Sequence, residues 1–166
     1  MARWCAGRRA TFLRAARACA SVALLAACGS AGATATSSAT YLAALSGLSE
    51  VPAVQTAATG SATFIRAGAM VTYTVTASGF TTPLTVAHIQ IGARGVIGPV
   101  LVTLSIVAQS GAVASGSIDL SRPVTEGNIT ISSDSLTALF DTGNAYVNLH
   151  TAAWPGGELR GQIVRQ

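Results

Sequence analysis

The sequence predicts an all-β protein, an antiparallel Greek-key-like sandwich or barrel of about seven or eight strands with one short helix. From residue 41 onward the chain is rich in Val, Ile, Leu and Thr, residues that are common in strands. Turn-forming Gly, Pro and Ser recur at short intervals, and apolar and polar residues alternate between them. Many short strands with a single helical segment favour an antiparallel fold over one in which helices alternate with parallel strands.

The individual elements follow from this alternation. The clearest strand is Met70 to Ala77, in which Val71, Tyr73 and Val75 alternate with threonines. The other predicted strands are Tyr41 to Leu45, Gly60 to Arg66, Leu84 to Ile91, Val100 to Val107, Val113 to Leu120, Ala145 to His150 and Glu158 to Val164. The one predicted helix is Ser133 to Phe140, because a serine or aspartate can cap its start and its apolar residues share one side.

The first 27 residues have the order of a secretion signal, in which a basic segment precedes a short apolar one. The apolar run is too short to cross a bilayer, which takes about 20 apolar residues. The residues Leu25 to Cys28 resemble a bacterial lipobox, which predicts a lipid anchor on Cys28. We therefore expect a lipoprotein signal peptide at 1–27, the lipidated cysteine and a flexible tether at 28–40, and one β domain at 41–166. Gly29 after the cysteine favours the outer membrane if the cell is Gram-negative, and any other bacterial envelope gives an extracytoplasmic, membrane-anchored protein.

Charge and cysteine content exclude several classes of function. All six acidic residues follow the leader, but only five of the ten basic residues do, and these are scattered singly. No basic patch is therefore available to follow a phosphate backbone, and nucleic acid is not an expected partner. The chain has three cysteines, Cys5 and Cys19 in the leader and the predicted anchor Cys28. The domain itself thus has no thiol for catalysis or for a metal site.

The last two predicted strands are expected to form a hairpin around the segment TAAWPGG. One register separates polar from apolar side chains on both strands: Leu149 opposite Leu159, Val147 opposite Gly161, and the polar pairs His150 with Glu158, Asn148 with Arg160 and Tyr146 with Gln162. One interpretation is that the polar set forms a functional surface. Alternatively it is the ordinary solvated face of an antiparallel sheet, with Glu158 and Arg160 paired for little net stability. Trp154 in the connecting loop is either an exposed contact for a partner or, as we expect, a cap on the barrel end.

Two segments carry a family resemblance. AHIQIG at 87–92 and YVNLHTAAWPGGELRGQI at 146–163, together with LSGLSEVP at 45–52, resemble the CHRD domain, a module named from chordin and found in bacterial secreted proteins. The resemblance places the candidate binding residues at His88, Gln90, Asn148, His150, Glu158 and Arg160. The family's first motif usually has a second histidine where this chain has Gln90, and an amide is a poor ligand for zinc or copper.

Two functions therefore stay open. The first, which we favour, is a non-catalytic binding or structural module, without a cofactor, for an unknown extracytoplasmic protein or ligand. The alternative is a metal-binding domain or metalloenzyme holding copper or zinc through His88, His150 and Glu158, and it requires the two imidazoles to lie within about 6 Å of each other. The sequence singles out no catalytic residue. With only two histidines, it also cannot build the complete site of the copper-zinc superoxide dismutases, whose first copper-ligand strand AHIQIG loosely resembles.

Overall fold

A computed structural model describes residues 37–109 and 112–166. The leader and Cys28 lie outside the described residues. The described chain is antiparallel β with one helix, which confirms the predicted fold class. Its strands are β1 (Ser38–Ser46), β2 (Thr59–Ala67), β3 (Met70–Ser78), β4 (Leu84–Ile91), β5 (Val100–Leu104), β6 (Ile106–Gln109), β7 (Ala112–Asp119), β8 (Val124–Glu126), β9 (Ile129–Ile131), β10 (Ala145–Thr151), β11 (Leu159–Gln162) and β12 (Val164–Arg165), and its helix is α1 (Ser133–Asp141).

The main sheet is nearly closed into a barrel. Its strands follow the order β5-β4-β10-β11-β1-β2-β3-β7-β6, with β12 paired to β1. The two end strands, β5 and β6, are consecutive in the chain and are separated by Ser105 alone. One residue therefore brings the two edges of the sheet together, which removes most of the open edge that would otherwise invite pairing with another chain.

The break at Ser105 corrects the prediction of one continuous strand from Val100 to Val107. The Ser105 N–H donates its hydrogen bond to an unexpected acceptor, the hydroxyl oxygen of Tyr73 on β3, at 2.9 Å. The Ser105 carbonyl accepts from the N–H of Ser115 on β7 at 3.1 Å. Both backbone groups of Ser105 thus bond to residues of β3 and β7, across the seam where the two edges of the sheet meet. The chain therefore changes its partner strand at this residue.

Other differences are smaller. β1 begins at Ser38 rather than Tyr41, and the predicted strand Glu158 to Val164 divides into β11 and β12. The β8-β9 hairpin was not predicted, although the turn pair Gly127-Asn128 between alternating residues is a local signal for it. Gly127 has a φ of 55°, the left-handed conformation that this turn needs.

The core fills the barrel interior. Alternate residues of each strand point inward, and Ile89, Val147 and Leu149 are fully buried there. Helix α1 packs at one end through Leu136 and Phe140. The ring of Phe140 packs edge-on against two other rings, with its centroid 5.4 Å from that of Tyr41 and 5.5 Å from that of Phe64. Phe64 is itself fully buried. In the part of the chain that the structure describes, no helix has the length and apolar character needed to cross a bilayer.

Candidate functional site

The hairpin of β10 and β11 has the predicted register. Leu149 lies opposite Leu159, Val147 opposite Gly161, Asn148 opposite Arg160 and Tyr146 opposite Gln162. On its other side β10 pairs with β4, which places His88 opposite Asn148 and Gln90 opposite Tyr146. Because side chains alternate along each strand, the candidate polar residues of the three strands share the outer face of the barrel.

This outer face is not solvated, which corrects the simplest expectation for an antiparallel sheet. The exposed fractions are 0% for Glu158, 2% for Arg160, 4% for Asn148, 7% for His150 and 8% for Gln90. His88 is half-buried. Buried polar groups are costly unless they are hydrogen-bonded, so the partners of these side chains show what covers the face.

The partners of Arg160 lie in the β4–β5 loop, residues 92–99. Its Nη2 atom donates to the carbonyl oxygens of Ala93 at 3.1 Å and Val96 at 2.7 Å. The guanidinium carbon lies 3.5 Å from the centroid of the Tyr146 ring, which is cation–π geometry. Gln162 acts similarly, since its Nε2 donates to three backbone carbonyls, including that of Gly92 at 2.7 Å. These two side chains hold the β4–β5 loop against the sheet.

Glu158 holds a second loop, the β1–β2 loop of residues 47–58. Its Oε1 accepts from the Thr56 hydroxyl at 2.7 Å, and its Oε2 accepts from the Thr151 hydroxyl at 2.5 Å. The expected ion pair between Glu158 and Arg160 is absent from the described residues, where the only salt bridges are Arg122–Asp119 and Arg165–Asp141. Instead, Arg160 bonds to the β4–β5 loop, and Glu158 bonds to Thr56 of the β1–β2 loop and to Thr151 of β10.

His150 holds the third loop, the β10–β11 loop of residues 152–158. Its Nδ1 lies 2.9 Å from the carbonyl oxygen of Pro155. A carbonyl can only accept, so Nδ1 carries the proton and Nε2 of the neutral ring presents a lone pair. That Nε2 lies 3.2 Å from Nδ1 of His88, which donates to it when both rings are neutral. Burial and the neighbouring His150 lower the pKa of His88, against the raising effect of Glu126, and the neutral form is favoured.

The two histidines meet the distance requirement of the metal hypothesis, but Glu158 does not join them. A separation of 3.2 Å between the two ring nitrogens is close to that of two ligands on one ion with metal–nitrogen bonds of about 2 Å. The His150 ring is also oriented by a backbone carbonyl, as metal-ligating histidines usually are. Within residues 37–109 and 112–166, however, no group of three His, Cys, Asp or Glu residues is placed to hold a metal. Tetrahedral zinc would therefore need further ligands from outside the chain.

Glu50 belongs to the site but was not among the predicted binding residues. It is 7% exposed, and neither its Oε1 nor Oδ1 of Asn148 has a hydrogen-bond partner among the residues that the structure describes. Burial raises the pKa of Glu50 to about 7, against the lowering effects of the Arg160 charge and of the Val51 N–H. The only sequence signal for Glu50 was its place in the segment LSGLSEVP, because nothing local shows that a loop carries it back onto β10.

Glu50 lines a pocket of about 230 Å³ between the β1–β2 and β10–β11 loops. The rest of the lining is largely apolar and consists of Val51, Pro52, Ala53, Val54, Trp154, Pro155, Gly156 and Gly157. Trp154 remains 38% exposed, so it is only partly covered by its neighbours. Gly157 has a φ of 125°, and a β-carbon there would lie 2.5 Å from Asn148 Oδ1 and 2.7 Å from Glu50 Oε1. A glycine is therefore required for the two oxygens to face this space.

The three loops also expose large apolar side chains. Leu48 lies in the β1–β2 loop, Val96 and Ile97 in the β4–β5 loop, and Trp154 in the β10–β11 loop. The other exposed large apolar residues of the described chain lie on strands: Leu42, Ile65, Met70, Ile106 and Val164. The loops thus combine a buried polar attachment with exposed apolar side chains. On the strands, Leu42 and Val164 lie opposite each other, and exposed apolar residues of this kind are common on any protein.

Comparison with known protein families identifies the family of this chain. The family model described as the CHRD domain matches residues 41–163. The chain belongs to the CHRD family. This confirms the resemblance seen in the two histidine segments. The match runs from within β1 to the residue before β12 and includes all three loops of this CHRD domain. Comparisons with curated proteins and with solved structures give no significant match.

Proposed function

We propose that this CHRD domain is a non-catalytic binding module that recognises an extracytoplasmic protein or ligand through the β1–β2, β4–β5 and β10–β11 loops. One observation carries the proposal: buried polar side chains fix three loops to one face of the barrel, and each loop exposes a large apolar residue. A rigid scaffold with attached loops is the usual arrangement of binding surfaces. Because the loops are fixed before binding, little conformational entropy is lost when a partner binds.

Site-specific photo-crosslinking in cells that produce the protein tests this proposal. A benzophenone side chain is placed at Leu48 or Ile97 on the loops, and at Ile65 or Met70 on the strands as matched exposed controls. We expect the two loop positions to give the same discrete adduct and the strand positions to give none. Equal adducts from all four positions, or no adduct from the loops, would refute recognition through the loops.

We also propose that the module is anchored to a bacterial envelope membrane by a lipid on Cys28. The supporting features are the basic and apolar order of the leader and the LAAC segment before Gly29. Cells fed a radiolabelled fatty acid should label the wild-type protein and leave Cys28→Ser unlabelled. Cys19→Ser is the matched control, since that cysteine leaves with the leader, and it should be labelled like wild type. Labelling of Cys28→Ser would contradict the anchor.

Copper or zinc binding is the second candidate function, and the His88–His150 pair favours it. The ring nitrogens are 3.2 Å apart, and the Pro155 carbonyl fixes the tautomer in which Nε2 of His150 carries a lone pair. A metal ion would replace the proton that Nδ1 of His88 donates to this nitrogen. The pair would supply two ligands, and exogenous ligands would complete the coordination. Elemental analysis of the purified protein checks this. Stoichiometric metal that is lost in His88→Ala and in His150→Ala supports it, and background metal in the wild-type protein after copper or zinc loading excludes it.

A further inference from the structure

The pocket at Glu50 combines features that point to a particular class of ligand. Its walls are apolar, with valine, proline and tryptophan side chains, and Glu50 is its one acidic residue. Its volume of about 230 Å³ is below the range of roughly 300–1,000 Å³ typical of sites for drug-sized molecules. A ligand that fits is therefore small, or is a single side chain of a larger partner, and has an apolar body.

Beside Gly157 the pocket has two buried acceptors that no described donor satisfies, although the Asn148 amide nitrogen also lies close to Gly157. Glu50 Oε1 and Asn148 Oδ1 are both buried and have no hydrogen-bond partner in the described chain. Both approach the bare α-carbon of Gly157, which itself lines the pocket. Leaving two buried acceptors unpaired costs free energy, and such groups in a native structure call for a ligand, an ion or a water.

We propose that this pocket binds a primary ammonium group carried on a short apolar stem, with the Glu50 carboxylate as its counter-ion and hydrogen-bond acceptor. An ammonium group has three donors and no acceptor, so it suits a pocket whose one charged lining residue is a carboxylate, whereas a neutral hydroxyl brings a single donor and no charge. The stem would lie against Pro52 and Trp154, where an aromatic side chain also favours a cation. Arg160, whose charge also acts on Glu50, donates to the Ala93 and Val96 carbonyls and stacks on Tyr146. Among the described residues it makes no salt bridge with Glu50, so the carboxylate has room for a second cation.

This inference rests on the binding role proposed above and names a ligand class for it. The chemistry is shared by free small alkylamines and by the lysine side chain of a protein partner. Two probes separate these sources: n-butylammonium for the free amine, and Nα-acetyl-lysine amide for the side chain with its backbone. The source whose probe binds more tightly is the one the pocket recognises.

Fluorescence of Trp154 in the full chain gives the measurement. The chain has two tryptophans, so Trp4→Phe makes Trp154 the only one, and a mild detergent keeps the leader in solution. We expect saturable changes with n-butylammonium, and at least about tenfold weaker binding of n-butanol, which has the same stem without the charge. Glu50→Gln should weaken n-butylammonium by at least about tenfold, because it removes a charge-assisted hydrogen bond. Asp134→Asn, which removes an exposed carboxylate on α1, should leave binding unchanged.

Three outcomes would overturn the inference: no saturable change with either amine, equal binding of butanol and butylammonium, or unchanged binding by Glu50→Gln. The butanol comparison uses the chain with Glu50 intact, so it does not depend on how a Glu50 variant folds. If the amine probes fail to bind but Leu48 and Ile97 still give crosslinks, only the proposed ammonium site is refuted. Loss of those crosslinks with intact amine binding would instead remove recognition by the loops.

Discussion

Replacing Glu50 with glutamine should stabilise the domain above pH 7 and have little effect below about pH 4.5. Burial raises the pKa of Glu50 from 4.5 to about 7, so the folded state binds this proton more tightly than the unfolded state does. The resulting stabilisation is complete below the unfolded pKa of 4.5 and is lost as pH rises through about 7. Above that pH the folded protein carries a buried carboxylate that the unfolded chain can hydrate, and glutamine has no such charge.

The size of the effect follows from the same pKa values. A rise from 4.5 to about 7 corresponds to about 3 kcal/mol, at about 1.4 kcal/mol for each tenfold change in proton affinity. Glutamine has nearly the shape of the protonated acid and, like it, carries no charge. The substitution should therefore be close to neutral in acid and stabilise by up to about 3 kcal/mol at pH 8.5.

Urea denaturation of both proteins at pH 4.5 and pH 8.5 measures this difference. Comparing variant with wild type at each pH cancels the titration of other groups such as His88. Asp134→Asn is the control for removing a carboxylate, and its effect should be the same at both pH values because Asp134 is exposed. If Glu50→Gln changes the free energy of unfolding equally at both pH values, or destabilises the protein more at pH 8.5, the reasoning about a buried, unpaired carboxyl is wrong.

Three further predictions concern the loops, the seam and acid stability. Arg160→Met should lower the free energy of unfolding by about 3 kcal/mol in urea denaturation, because two buried carbonyls lose their donor. Arg165→Met, at the half-exposed ion pair with Asp141, should cost less than about 1 kcal/mol. Equal costs would contradict the role of Arg160 in holding the β4–β5 loop. Tyr73→Phe should cost about 1–2 kcal/mol in the same assay, because the Ser105 N–H loses its acceptor, and an unchanged midpoint would show that water replaces the hydroxyl. The lowered pKa of His88 contributes stability that is present above the unfolded pKa of 6.5 and is lost as pH falls below it. Thermal melts of His88→Asn should therefore show a smaller loss of stability between pH 7 and pH 5 than those of the wild-type protein. Equal losses in the two proteins would contradict this role of His88.

The parts of the fold that depend on local pattern were predictable from the sequence. The register of β10 and β11 follows from the period-two alternation around Leu149 and Leu159, since a slip of one residue would turn every apolar side chain outward. The helix start was predictable for a similar reason: Ser132 caps it by accepting from the N–H of Ser135. Each of these signals lies within a few residues of the feature that it specifies.

The burial of the polar face could not be predicted, because it depends on contacts between distant parts of the chain. Arg160 bonds to carbonyls 64 and 67 positions away, and Glu158 bonds to Thr56, 102 positions away. The break at Ser105 depends likewise on the Tyr73 hydroxyl. No alternation pattern distinguishes a polar residue that faces water from one that faces the carbonyls of a returning loop. The role of Glu50 was unpredictable for the same reason, because it lies in a loop whose sequence has no periodicity.

The pairing of β1 with both β11 and β12 shows which end of the barrel carries the pocket. Thr40, near the start of β1, accepts from the N–H of Gln166, so the first described strand begins beside the C-terminus. Ser46, at the other end of this nine-residue strand, pairs with Arg160 and leads into the β1–β2 loop. It lies roughly 26 Å from Ser38, at about 3.3 Å per residue. The Glu50 pocket, which the β1–β2 loop lines, therefore lies at the opposite end of β1 from Ser38 and Gln166. A tag attached at Gln166 would lie at the Ser38 end of the strand and leave the pocket unobstructed.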